Sequence, residues 1–139
     1  MSELTKPLHV ATIRGHQLRF FRTPNNDGRP DFPWHCCDDL YRCMELPRKV
    51  RRYFQRCWTN RSMFRTVATT DGIVMIAPHC VAQGATSAWD HIGGADIKNE
   101  YAFESAQALE KLTAGLIWPE QVLPWMAAAM KRHEGAVPR

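Results

Sequence analysis

The chain has 139 residues, 45% hydrophobic and 23% charged, with a formal net charge of +4, which is ordinary for one soluble globular domain spanning residues 1–139. No apolar run approaches a membrane span, and the opening MSELTKPLHV lacks the apolar stretch of a signal peptide. Five cysteines, an odd and irregularly spaced set, argue against a secreted disulfide framework, so a cytoplasmic protein with no membrane partner is expected.

Residues 8–22 read as a β-hairpin. Leu18 and Phe20 alternate with Gln17 and Arg19, Gly15-His16 is the turn-compatible pair, and one face should be buried. Residues 23–33 (TPNNDGRPDFP) are dense in turn formers and read as a loop. Residues 32–35 form a short extended piece. A helix is expected from Asp38 to Glu45, with Asp38 as N-cap, Asp39 in the first turn, and Leu40, Cys43 and Met44 on an apolar side. Leu46-Pro47 should interrupt it, because a residue before proline disfavours the α region.

The next helix carries Val50, Tyr53, Phe54, Cys57 and Trp58 at helical spacing on one side. Arg48, Lys49, Arg51, Arg52 and Arg56 fill the remaining arc. Residues 59–65 form a connector that keeps Arg61 and Arg65 exposed. Residues 65–69 and 73–77 flank Thr70-Asp71-Gly72 and predict a second hairpin, with the outline of a wing. A helix follows from Pro78 to about Ser87, then a looser stretch at 84–97 marked by Gly84, Gly93 and Gly94. Asn99 caps an expected helix at 100–113, with Ala102, Ala106, Leu109 and Leu112 on one face. Pro119 opens the last helix. Its apolar stripe is Val122, Leu123, Met126, Ala127 and Met130, and its last turn holds Lys131, Arg132 and His133. Residues 134–139 form a frayed tail. The expected fold is α+β: two β-hairpins packed with short helices, a helix-turn-helix-like basic segment, and amphipathic C-terminal helices within a mainly helical part at 84–133.

Charge is the most informative pattern. Residues 42–65 hold eight Lys and Arg against one acid, Glu45, while the rest of the chain holds more acids than bases. So local a charge points to a polyanion partner. Arginine suits phosphate because its planar fork donates two parallel hydrogen bonds. Helix, break, basic helix is the outline of a helix-turn-helix.

The order of elements resembles the N-terminal Bro-type domain (Bro-N) of phage and viral antirepressors over residues 8–82. The carrying residues are Ile13-Arg14-Gly15, Leu18-Arg19-Phe20, Asp38-Asp39-Leu40 and Thr66 through Ala77. The resemblance implies a compact α+β module associated with DNA binding or transcriptional control. It implies no catalytic residue.

Other chemistry has less behind it. His35-Cys36-Cys37 with Cys43, or His79-Cys80, supplies metal-ligating atoms, but no C-x-x-C pair exists. Cys36 or Cys37 near a helix N-terminus would suit a nucleophile, yet a buried structural thiol is the simpler reading. No P-loop, GxGxxG or HExxH motif is present. The tryptophans offer stacking surfaces for single strands, although Trp58 and Trp125 sit near apolar stripes and read as core.

The expectation is therefore a non-enzymatic regulator of transcription with no cofactor, no metal and no catalytic residue. It would contact double-stranded DNA through Arg48, Lys49, Arg51, Arg52, Arg56, Arg61 and Arg65, and a homodimer would double the contact. The alternative is a protein-interaction module that offers the basic helix to an acidic protein partner.

Overall fold

The computed structural model describes residues 3–57, 63–114 and 118–133, with Cys57 described by its backbone alone. Trp58, Arg61 and the expected tail at 134–139 lie outside the described residues. In chain order the strands and helices are β1 (His9–Ile13), β2 (His16–Phe21), β3 (Trp34–Cys36), α1 (Cys37–Cys43), α2 (Arg48–Cys57), β4 (Arg65–Thr69), β5 (Gly72–Ala77), α3 (His79–His91), α4 (Lys98–Thr113) and α5 (Val122–Arg132). A 3-10 turn, Pro119–Gln121, precedes α5. The strands make one antiparallel sheet in the order β1-β2-β3-β5-β4, so the fold is α+β.

Both expected hairpins form, the first with its turn one residue earlier than expected and the second with Gly72 taken into the strand after the turn. In the first, Ile13 pairs with His16, and the two-residue loop is Arg14-Gly15 rather than Gly15-His16. Arg14 and Gly15 have φ of 52° and 81°, a loop of the kind whose twist matches its strands. In the second, Thr69 pairs with Gly72 around Thr70-Asp71, and Gly72 takes the positive φ of 108° after the turn. Thr69 Oγ1 accepts the Asp71 N–H at 3.1 Å and donates to the Gly72 carbonyl at 2.7 Å. This hairpin is part of the sheet through the β3–β5 pairing, so it is not a detached wing.

The sheet buries side chains on both faces, not on one. Leu18 and Phe20 point into the main core with Ala11, Ile13, Leu40 and Met44. Phe21, Trp34, Cys36 and Ile76 point the other way into a smaller cluster. Each fully buried large apolar side chain contributes about 1.5–3 kcal/mol. The main core also takes Ala82 and Ala85 from α3 and Tyr101 and Ala108 from α4, so residues of the C-terminal part pack on the first part. His9 fixes β1 to α4, with Nε2 3.0 Å from Glu104 and Nδ1 accepting from Lys111 Nζ at 2.7 Å.

The breaks after α1 and after α3 have one cause. After α1, the Glu45 N–H donates to Arg42 O and the Leu46 N–H to Tyr41 O, and Glu45 has φ 55°. After α3, the Gly93 N–H donates to Asp90 O and the Gly94 N–H to Trp89 O, and Gly93 has φ 93°. Both are Schellman ends. The first break therefore begins at Glu45, ahead of Leu46-Pro47. The stretch at 84–97 is not loose throughout: α3 runs on through Gly84 to His91, because Ala85 and Thr86 are buried on its inner face. Gly94 leaves room for the Trp89 ring, which a Cβ would meet at 2.1 Å.

Further expectations are corrected. Asp38 does not cap α1; the N-cap is Cys36, with no side-chain cap bond. Asn99 lies inside α4, and the side chain of Asp96 accepts the Lys98 N–H at 3.0 Å. The core-facing residues of α4 are Tyr101, Ser105 and Ala108, while Ala102 and Ala106 are exposed. In α5 the only fully buried residue is Ala129, and Leu123 and Met130 are 76% and 67% exposed. Trp125 is half-buried against Phe32, and Trp118 is 70% exposed. Arg132 and His133 do more than complement a dipole: they bind Asp27 and Asp31 and tie α5 to the loop before β3.

Candidate nucleic-acid interface

α2 begins where the turn after α1 ends, with the Pro47 carbonyl accepting the Arg51 N–H at 2.9 Å. Phe54, 2% exposed, and the half-buried Val50 anchor it on the main core. Tyr53 was expected on the apolar face, but it is 57% exposed, with its ring 6.3 Å from Phe54. The buried stripe is therefore narrower than the pattern suggested, and the solvent face is wider.

Arg48, Lys49, Arg52 and Arg56 stand on that face, all exposed. Among the described residues none of the four has an ion-pair partner. The contrast lies within the same chain. Arg14, Arg19, Arg42, Arg51 and Arg132 each meet a carboxylate. Arg48, Arg52 and Arg56 follow at i, i+4 and i+8, and like charges so spaced repel by a few tenths of a kcal/mol per pair. Arg48 and Lys49 also lie in a first turn with no acidic residue, against the positive end of the helix dipole. This face is less stable for its charge, and a bound polyanion relieves both terms.

The structure divides the seven expected contact residues. Arg48, Lys49, Arg52 and Arg56 share one exposed helix face. Arg51 is turned toward α1: it donates to Asp38 and lies 5.8 Å over the Tyr41 ring. It acts as a brace between α1 and α2, a role its helical position could not reveal. Arg65 is exposed at the start of β4, and Arg61 lies outside the described residues.

Four cysteine side chains are described, all as free thiols. Cys36, Cys37 and Cys43 are buried, and Cys80 is half-buried. Burial pushes the Cys36 and Cys37 thiols up, Cys43 up to about 12 and Cys80 up to about 11. The nucleophile reading needs the opposite shift. Alkylating the folded protein with iodoacetamide at about pH 8, long enough to consume a free thiol, should leave the peptide carrying Cys36, Cys37 and Cys43 unmodified by mass spectrometry. Modification of Cys36 or Cys37 at the rate of the unfolded control would restore the nucleophile reading. Among the described residues no group of three or more His, Cys, Asp or Glu is arranged to hold a metal ion, and no helix is long and apolar enough to cross a membrane.

A second group of polar residues escaped the sequence reading, because its members are far apart in the chain. Asp31, 2% exposed, accepts from Trp34 Nε1 at 2.8 Å and pairs with His133 at 3.2 Å. Burial opposes its ionisation, but the bonds from His133, Trp34 and Thr23 prevail and hold it below the usual carboxylate range. His79 Nδ1 lies 2.7 Å from the Tyr101 hydroxyl and 3.3 Å from Ser105 Oγ. Desolvation lowers His79 to about 4, so the ring is neutral at pH 7.

Searches of protein-family models, curated proteins and solved structures give no match to this chain.

Proposed function

We propose that this chain binds duplex DNA through the exposed face of α2, as a transcription-regulator or antirepressor-like module. The observation that carries the reading is the row Arg48, Lys49, Arg52 and Arg56, with no carboxylate partner among the described residues in a protein whose other helix and strand arginines are so often paired. Arg65, exposed at the start of β4, extends the contact toward the second hairpin, and Arg61, outside the described residues, is proposed to add to it. The likeness of residues 8–82 to the Bro-N family adds the expectation of transcriptional control. Contacts of this kind go to phosphate, so they position the module without reading sequence.

A second reading rests on a separate observation. Ile73 and Met75 of β5 are 78% and 47% exposed, apolar surface that a phosphate backbone has no use for. A protein partner with an acidic rim and an apolar centre would use both features.

Fluorescence anisotropy with a random duplex of about 20 base pairs, repeated across a salt series, separates the two. Four to six phosphate contacts should give a log–log salt slope of about −4 to −5. No binding at low salt with micromolar protein would overturn the DNA reading and leave the acidic protein partner.

A further inference from the structure

We propose that the cavity between α3, α4 and α5 is a binding site for a small uncharged amphipathic molecule, with an aromatic or aliphatic body and a single hydroxyl-type head group. The cavity has a volume of about 550 Å³, within the range of small-molecule sites. Its apolar walls are Ala102, Ala106 and Leu109 of α4 and Met126 and Met130 of α5. These are residues whose spacing suggested core stripes. Here part of each stripe lines one cavity without filling it. The alanines leave the space, and the methionines can adapt to the shape of an occupant.

The head-group end is built around His79. Phe32 lies against its ring at 5.0 Å, and Tyr101 stacks on it at 5.4 Å. Tyr101 and Ser105 engage Nδ1, while Nε2 makes no hydrogen bond among the described residues and is not a buried orphan atom. That leaves, on a ring that lines the cavity and is held by Phe32 and Tyr101, one nitrogen with its hydrogen-bonding position unused among the described residues. Thr86, also on the lining, does not compete, since its hydroxyl is spent on the Ala82 and Gln83 carbonyls.

Charge decides the class of ligand. The two charged lining groups are already engaged: Asp31 by Arg132 and by a hydrogen bond with His133, and Lys98 by Asp90 at 2.7 Å. An ionic ligand would bring an unmatched charge between apolar walls, which is unfavourable. A neutral head group needs only His79.

The test uses the full chain without DNA, so its outcome is independent of the nucleic-acid reading. The probe is p-cresol, titrated while the methionine methyl and backbone amide NMR signals are followed. Saturable shifts are expected at the Met126 and Met130 methyls and the Tyr101 and Ser105 amides, with a Kd on the order of 1 mM for so few heavy atoms. The anion p-toluate and the cation 4-methylbenzylammonium should each bind about tenfold more weakly or worse. Ala106→Trp should fill the cavity and abolish the shifts. Met130→Trp, made at an exposed position on the facing helix, should do the same, so the test stands if one variant fails to fold. Absence of shifts at these groups would overturn the proposal. So would shifts that persist in a folded, filled variant, or equal affinity for p-toluate.

Discussion

Replacing Asp39 with alanine is expected to cost about 3–5 kcal/mol of unfolding free energy, much of what a domain of this size has. Asp39 joins β2 to α1. Its side chain is 2% exposed and accepts three bonds from Arg19: from Nε at 2.8 Å, from Nη2 at 3.1 Å and from the backbone N–H at 3.0 Å. Arg42 donates to it as well. Removing the carboxylate strands a guanidinium that is itself 13% exposed. Its Nη1 already lacks a hydrogen bond, and the nearest other carboxylate, Asp71, stands at 3.8 Å. Arg19→Met/Asp39→Leu should recover part of the loss, because the penalty is an unmatched buried charge more than a lost attraction. Urea unfolding of the two variants measures this. A loss under about 1 kcal/mol in Asp39→Ala would mean that apolar contacts alone hold the junction.

The same carboxylate shapes the acid limb of stability. Burial opposes its charge, but the bonds from Arg19 prevail and hold Asp39 below its ordinary 3.8. The stability it adds is fully present above that value and is lost as pH falls through it toward the folded pKa. His35 and His79, lowered by desolvation to about 3 and about 4, start the decline earlier, as pH drops below their ordinary 6.5. Thermal unfolding should therefore weaken in two stages on acidification. In Asp39→Ala, the lower stage should be shallower.

Local chemistry was legible and long-range pairing was not. The second hairpin could be read because Thr70-Asp71-Gly72 between β-branched runs states its own turn, and Gly72 takes the positive φ there. The Phe54 anchor and the basic face of α2 followed from spacing. Asp39 looked like a helix-end acid, because nothing near it in sequence shows that Arg19, on another element, needs a counter-ion. Arg51 looked like its neighbours until the fold put Asp38 and Tyr41 beneath it. Gly84 looked like a break, since its low helix propensity is visible while the core that α3 packs on is not. The stripes on α4 and α5 were visible as apolar, but whether they met protein or a cavity depended on how α5 is held by Arg132 and His133.

Arg48→Ala/Arg52→Ala/Arg56→Ala and Arg51→Ala should separate as the two classes of arginine in α2 do. Each phosphate contact adds about 0.9 to the log–log salt slope, so the triple variant should have a slope shallower by about 2.7. At about 50 mM salt that difference amounts to roughly a 10³-fold loss of affinity for duplex DNA. Arg51→Ala should change the slope by less than about 0.5 and the affinity only a few-fold, because Asp38 already occupies that guanidinium. Alanine is the best helix former, and removing three like charges relieves i, i+4 repulsion, so the triple variant should keep α2 and unfold no earlier than the parent. Arg51→Ala should instead be the less stable of the two, having lost its tie to Asp38 and its contact over Tyr41. Equal losses of DNA affinity in the two variants would mean that Arg51 leaves Asp38 for phosphate in the complex. An unchanged salt slope in the triple variant would remove α2 from the interface altogether.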